Sequence, residues 1–121
     1  MLNHQQTTGK LGEDIALNYL SQKGYRLITS NFHSRFGEID LILKDKGTLV
    51  FVEVKARYDT SYGTPQEAVT PWKIKKIIKT AQYFSLLHPE LPKALRIDVI
   101  ALQLSPSGEV ASLEHLENIT G

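Results

Sequence analysis

The sequence predicts one α+β domain, a central mixed β-sheet flanked by helices, with its elements in the order α-β-β-β-α-β-β. Three observations carry this. Segments 8–23 and 71–87 repeat apolar residues at helical spacing and have capping residues at their ends. Five short segments are rich in Ile, Leu and Val and bounded by turn residues. The second helix interrupts the run of strands, the pattern of a sheet with helices packed on it. At 121 residues the chain is read as a single domain over 1–121, with residues 1–7 expected to be flexible.

The first helix is expected over 8–23. Thr7 or Thr8 can cap it, and Gly24 stands where a C-terminal glycine belongs. At about 100° per residue, Leu11, Ile15, Ala16, Tyr19 and Leu20 form one apolar arc with Leu17 at its edge. Glu13 falls inside that arc or on its border, whereas Lys10, Asp14, Asn18 and Ser21 take the polar side. Strands follow at 25–32, 38–44 and 49–56. Tyr62 to Pro65 is turn chemistry, and Thr64 with Glu67 matches a capping box, so a short helical turn is expected at 65–69. Thr70 before Pro71 sets a cap and a first-turn proline for the long helix at 71–87. There Ile74, Ile77, Ile78 and Ala81 face the core, and Lys75, Lys76 and Lys79 share the opposite side. Pro89 and Pro92 end it. Strands at 95–104 and 109–116 complete the fold.

Composition narrows the function classes. With no cysteine there is neither a disulfide framework nor a Cys-based zinc site, which fits a reducing compartment. The segment MLNHQQTTGK is polar and lacks a signal-type apolar stretch, and no apolar run approaches the roughly 20 residues that span a bilayer. A cytoplasmic protein with no membrane association is expected. A net charge of +1 excludes a strongly basic nucleic-acid coat but not a local basic patch. There is no Gly-rich phosphate loop, so nucleotide hydrolysis is not expected.

The informative stretch is GEIDLILKDKGTLVFVEVKAR, residues 37–57, where Asp40, Glu53 and Lys55 interrupt apolar runs. A turn at Lys46 and Gly47 closes a hairpin whose paired positions sum to 93. Asp40 then lies opposite Glu53, and Glu38 opposite Lys55, on one face. A one-residue slip would send Glu53 to the other face. Two facing carboxylates repel, and burial raises one pKa unless something neutralises the charge. Two readings stand. A divalent cation could neutralise the pair, with Lys55 beside it to orient water or stabilise charge and Glu13 completing the cluster. Alternatively, Glu38 and Lys55 form a cross-strand ion pair and the carboxylates lie at solvated strand ends.

A helical Glu13, a strand Asp40 and a strand Glu53-x-Lys55 resemble the PD-(D/E)xK nuclease superfamily, in layout the archaeal Holliday-junction resolvases above all. Nearly the whole chain is similar to the YraN family of bacterial proteins, through GKLGEDIALNYL (9–20), KGYRLITSNF (23–32), GEIDLIL (37–43), LVFVEVKAR (49–57), TPQEAVTPWK (64–73) and LRIDVIA (95–101). The resemblance implies a restriction-endonuclease-like core. It implies that Glu13, Asp40, Glu53 and Lys55 are catalytic, that Asp40 and Glu53 with Glu13 hold Mg²⁺ or Mn²⁺, and that Lys55 aids the nucleophile. Ile39, not proline, precedes Asp40, a departure from the superfamily pattern.

The expected activity is metal-dependent hydrolysis of phosphodiester bonds in structured or branched DNA. A homodimer could cut both strands, as resolvase-like nucleases often do, although no exposed apolar strip marks a dimer interface in the sequence. The alternatives are a non-catalytic nucleic-acid-binding module on the same fold, or a protein-interaction domain. Candidate phosphate contacts are Lys73, Arg57, Lys76, Lys79 and Gln66. Lys73 is the most pointed of these, because a cation in the first turn opposes the helix dipole. Each has a plain counterpart: a solvated helix face for the lysines, Lys75 included, and a strand-end charge for Arg57. Trp72 could stack on a base but is expected to anchor the helix on the sheet. Asp98 is expected to serve structurally, paired with Arg96 or a neighbouring strand. His4, His33, His88 and His115 are scattered and suggest no histidine site.

Overall fold

The structure is a computed structural model that describes residues 4–58 and 69–120, with side chains from Gly9 onward. Two helices and five strands follow in the expected order: α1 (His4–Gln22), β1 (Arg26–Ser34), β2 (Gly37–Asp45), β3 (Thr48–Arg57), α2 (Pro71–Leu87), β4 (Ala94–Leu104) and β5 (Val110–Leu116). The five strands form one sheet in sequence order. Its neighbours are antiparallel except β3 and β4, which run parallel across the connection that holds α2. This is the mixed, helix-flanked sheet expected of a restriction-endonuclease-like core.

Each helix covers one face. Ala16 and Leu20 of α1 pack on Leu41, Leu43, Val50, Val52, Ile100 and Leu102, with Ile15, Leu17 and Tyr19 at the margin. Ile77, Ala81 and Phe84 of α2 pack on Ile42, Leu49, Phe51 and Ile97. Apolar residues on both sides of β2 and β3 thus serve two cores. Gly12 lets α1 come close, since a Cβ there would lie 3.0 Å from the Ala56 Cβ.

Local chemistry sets the element ends. Gly24 stops α1 at φ +95, and the Tyr25 N–H closes the last turn on the Leu20 carbonyl (3.0 Å). Thr70 caps α2, its hydroxyl accepting from the Lys73 N–H (3.2 Å), and Pro71 takes the first turn. The two-residue turn at Lys46 and Gly47 closes on the pair Asp45–Thr48, and the register onward to Leu41–Val52 sums to 93 as expected.

Two element ends shift by two residues or more. The first helix begins at His4, so Thr7 and Thr8 lie inside it rather than at its cap, and residues 4–7 belong to an element. β1 runs to Ser34, two residues beyond its expected end, because β2 supplies ladder partners as far as Gly37. The turn at 62–65, the capping box and most of the expected helical turn at 65–69 lie outside the described residues.

Candidate active site

β2 and β3 are regularly paired until Leu41 meets Val52. Beyond that point the ladder gives way to a side chain. The Asp40 Oδ2 accepts the Val54 N–H at 2.8 Å. The other neighbour of β2 changes at the same level: β1 pairs Ser30 with Leu41 and Phe32 with Ile39, and Asn31 between them adopts φ +52. Ile39 joins the α2-side core and Leu41 the α1-side core, so strand alternation breaks at Asp40. The carboxylate therefore stands where the β2–β3 ladder ends, while β1 stays paired with β2 on either side of it.

Glu53 and Lys55 are two residues apart on β3 and project to one face. The Lys55 Nζ lies 3.0 Å from Glu53 Oε1, and both side chains are about 15% exposed. Burial works against the Lys55 charge, but the adjoining Glu53 carboxylate outweighs it, and the pKa stands above the ordinary lysine value. Asp40 behaves in the opposite way. Burial first, then repulsion from Glu53, pushes its pKa up from 3.8 to about 7, and the Val54 N–H only partly offsets this. The carboxylate pair is thus in electrostatic contact and is not fully compensated by the protein.

Both helices reach this end of the sheet. Glu13 of α1 is half-buried, and burial raises its pKa against an opposing hydrogen bond with the Asn31 side chain. Its charge is felt at Asp40. Lys73 enters from the first turn of α2, and its hydrogen bond with Lys55 is the main reason its pKa falls. Arg57 and Lys73 also feel each other's charge.

Glu13, Asp40, Glu53, Lys55, Lys73 and Arg57 therefore gather at one end of the sheet. Lys76 and Lys79 lie farther along α2 on its exposed side, and Gln66 lies outside the described residues. The expected Glu38–Lys55 pairing does not form. Glu38 faces His33 instead, at 3.0 Å, because the β2–β3 ladder has already ended and β1 is its neighbour. Trp72, expected to anchor α2, is 63% exposed. Asn31 was not among the candidates from sequence. Its signal was an Asn inside a strand pattern, the residue most at ease after glycine with a left-handed backbone.

A divalent cation fits this donor set through two hard oxygen ligands, Asp40 and Glu53, the number Mg²⁺ commonly takes from protein beside waters and phosphate. Among the described residues no three Asp, Glu or His side chains converge enough to hold a metal ion unaided. Also among the described residues, no helix is long and apolar enough to cross a membrane.

The sequence profile of the uncharacterised protein family UPF0102 matches residues 12–102. A UPF0102 protein of Persephonella marina is 49% identical over 94 residues, which cover 78% of this chain and 81% of that protein. One from Geobacter sulfurreducens is 44% identical over 117 residues, covering 96% and 90%. One from Syntrophus aciditrophicus is 46% identical over 101 residues, covering 84% and 80%. The chain belongs to the UPF0102 family.

Proposed function

We propose that this member of UPF0102 is a metal-dependent endonuclease of the PD-(D/E)xK type, acting on structured or branched DNA in the cytoplasm, alone or as a homodimer. The observation that carries the reading is the under-compensated pair Asp40 and Glu53, largely buried beside a charged Lys55. Uncompensated buried carboxylates in contact are costly to a fold and useful to a metal site.

Mg²⁺ or Mn²⁺ held by Asp40 and Glu53, with Glu13 nearby, would supply Lewis-acid activation of the phosphate and of an attacking water. The chain's own residues do the rest. Lys55, kept as an ammonium by Glu53, stabilises charge building on the phosphoryl oxygens rather than removing a proton. Lys73, its pKa lowered beside Lys55, is a cation that an approaching phosphate stabilises, and so helps seat it. Arg57 supports the same contact. Asn31 positions Glu13 by hydrogen bond. One Asp40 oxygen accepts the Val54 N–H where the β2–β3 ladder ends.

The test is cleavage of junction, flap and single-stranded DNA with Mg²⁺ or Mn²⁺ by wild type, Asp40→Ala and Glu53→Ala, with folding checked by circular dichroism. Each variant is expected to lose at least about a hundredfold in rate. Two folded variants that cut like wild type would reject the assignment. The lack of a third converging ligand among the described residues favours one second reading, a nucleic-acid-binding module without turnover. Salt-dependent binding with no metal-dependent cleavage is its signature.

A further inference from the structure

α2 carries Lys73, Lys75, Lys76 and Lys79 and no acidic residue. Its buried side is Ile77, Thr80, Ala81 and Phe84. Trp72, Lys76, Lys79 and Tyr83 recur at helical spacing along an exposed flank, where Tyr83 packs edge-on against Phe36. Trp72 is 63% exposed, and the Lys76 ammonium lies over one face of its ring, 3.9 Å from the centroid. An open groove of about 430 Å³ runs along this face, with Ile78 and Gln82 in its wall beside the lysines. The residue after Trp72 is Lys73, whose side chain reaches Lys55 in the candidate site.

We infer that this face of α2 binds a single-stranded nucleic acid, with Trp72 stacking on an unpaired base next to the candidate site and Lys76 and Lys79 taking the flanking phosphates. An all-cationic helix face complements a polyanion. The indole adds what lysines alone lack. It offers a large planar surface to any base, a contact that tolerates sequence and needs the base out of a duplex. A paired base keeps its faces in its own stack and must be unstacked before it can meet the ring. Trp72 therefore selects for unpaired structure, whereas the lysines serve duplex and single strand alike. The inference deepens the nuclease reading by naming the feature its substrate presents at the site, and it rests on that reading only for where the cut falls.

The chain has one tryptophan, so its fluorescence reports this position alone. Full-length protein in EDTA at low salt is titrated with oligothymidylate and with a blunt duplex of equal length. Oligothymidylate is expected to quench the emission and to bind at least about tenfold tighter than the duplex. Trp72→Ala, an exposed change, is expected to lose that preference with duplex affinity unchanged, and Trp72→Phe to keep most of it. Lys79→Ala weakens both ligands and lowers the salt slope by about 1. Equal affinity for the two ligands, an unaffected Trp72→Ala variant, no binding of either, or tighter binding of polyglutamate than of oligothymidylate would each overturn the inference. The nuclease reading fails separately. Quenching and preference with no cleavage in Mg²⁺ or Mn²⁺ sinks the nuclease and keeps the stack. Metal-dependent cleavage of unpaired substrates that Trp72→Ala leaves unchanged does the reverse.

Discussion

Asp98 and Asp40 are both carboxylates set into apolar strands of one sheet, and the protein treats them in opposite ways. Asp98 is fully buried. It accepts from Arg96 Nε (3.0 Å) and Nη2 (3.1 Å), from the Asn118 N–H (2.9 Å), and from His115 Nε2 (2.8 Å). Lys23 Nζ lies 2.9 Å from His115 Nδ1, and an ammonium can only donate there, so the His115 Nε2–H is the one turned to Asp98. Arg96 Nη2 also donates to the Tyr25 hydroxyl (2.6 Å). Burial opposes the Asp98 charge, but these donors outweigh it and hold its pKa below the ordinary value. Asp40 is less buried, yet among the described residues it receives a single backbone N–H, faces Glu53, and rises to about 7. Burial therefore does not distinguish the two carboxylates. Compensation does. A fully compensated buried network rigidifies a fold, and an under-compensated carboxylate is a candidate ligand.

The sharpest way to break this contrast is to remove each carboxylate. Asp98→Ala strands Arg96 and His115 in the interior and is expected to cost about 3–5 kcal/mol in urea unfolding. Asp40→Asn keeps an acceptor for the Val54 N–H and removes a like charge. It is expected to gain on the order of 2–4 kcal/mol at pH 8 in EDTA, from about 1.4 kcal/mol for each unit by which the pKa is raised. Losses of similar size at both positions would mean that the two sites are not different in kind.

The pH dependence of the wild type sharpens the same point. Unfolded, Asp40 ionises near 3.8; folded, it does so only near 7. Between those values the unfolded chain binds fewer protons, so the Asp40 contribution falls as pH rises and is fully lost above 7. The stability gap between Asp40→Asn and wild type should widen from pH 4 to 7 and then level off. A gap that is flat with pH refutes the shift. Asp98 has the other sign. Its contribution is present above pH 3.8 and disappears as acid takes the solution down through its lowered pKa.

The smallest expected effect tests how α1 presents Glu13. Gly12→Ala places a methyl 3.0 Å from the Ala56 Cβ. Overpacking of about 1–3 kcal/mol is partly offset by better helix propensity, leaving a net loss of about 1 kcal/mol in thermal or urea unfolding. Unchanged or increased stability would show that α1 moves freely against β3, and that Glu13 is not held in place by packing.

Much of this was legible in residues. Thr70, Pro71 and the isoleucine spacing located α2, and the turn at Lys46 and Gly47 fixed the hairpin register that brings Asp40 towards Glu53. What could not be read was where the ladder stops. Register arithmetic assumes that pairing continues, so it set Glu38 against Lys55; in the fold, Asp40 intercepts the Val54 N–H first. The left-handed Asn31 was hidden for the same reason, because it is a response to the neighbouring strand. The start of α1 was misplaced because a threonine in a helix interior looks like a cap until the residues before it are also helical. Trp72, expected to anchor the helix on the sheet, is exposed instead.

The sheet keeps the order of the chain, and that bears on how the protein is made. β1, β2 and β3 can associate through short connections, so the strands bearing Asp40 and Glu53 meet at small loop-closure entropy. Only the parallel junction of β3 with β4 demands a long crossover, and α2 travels with it. Like charge is thus gathered in the quickly formed meander, whereas Lys73 arrives with the slow, non-local step. A nascent chain emerging from the ribosome would expose a finished hairpin with an open β3 edge until that crossover closes. In this interval the open β3 edge can pair with another copy.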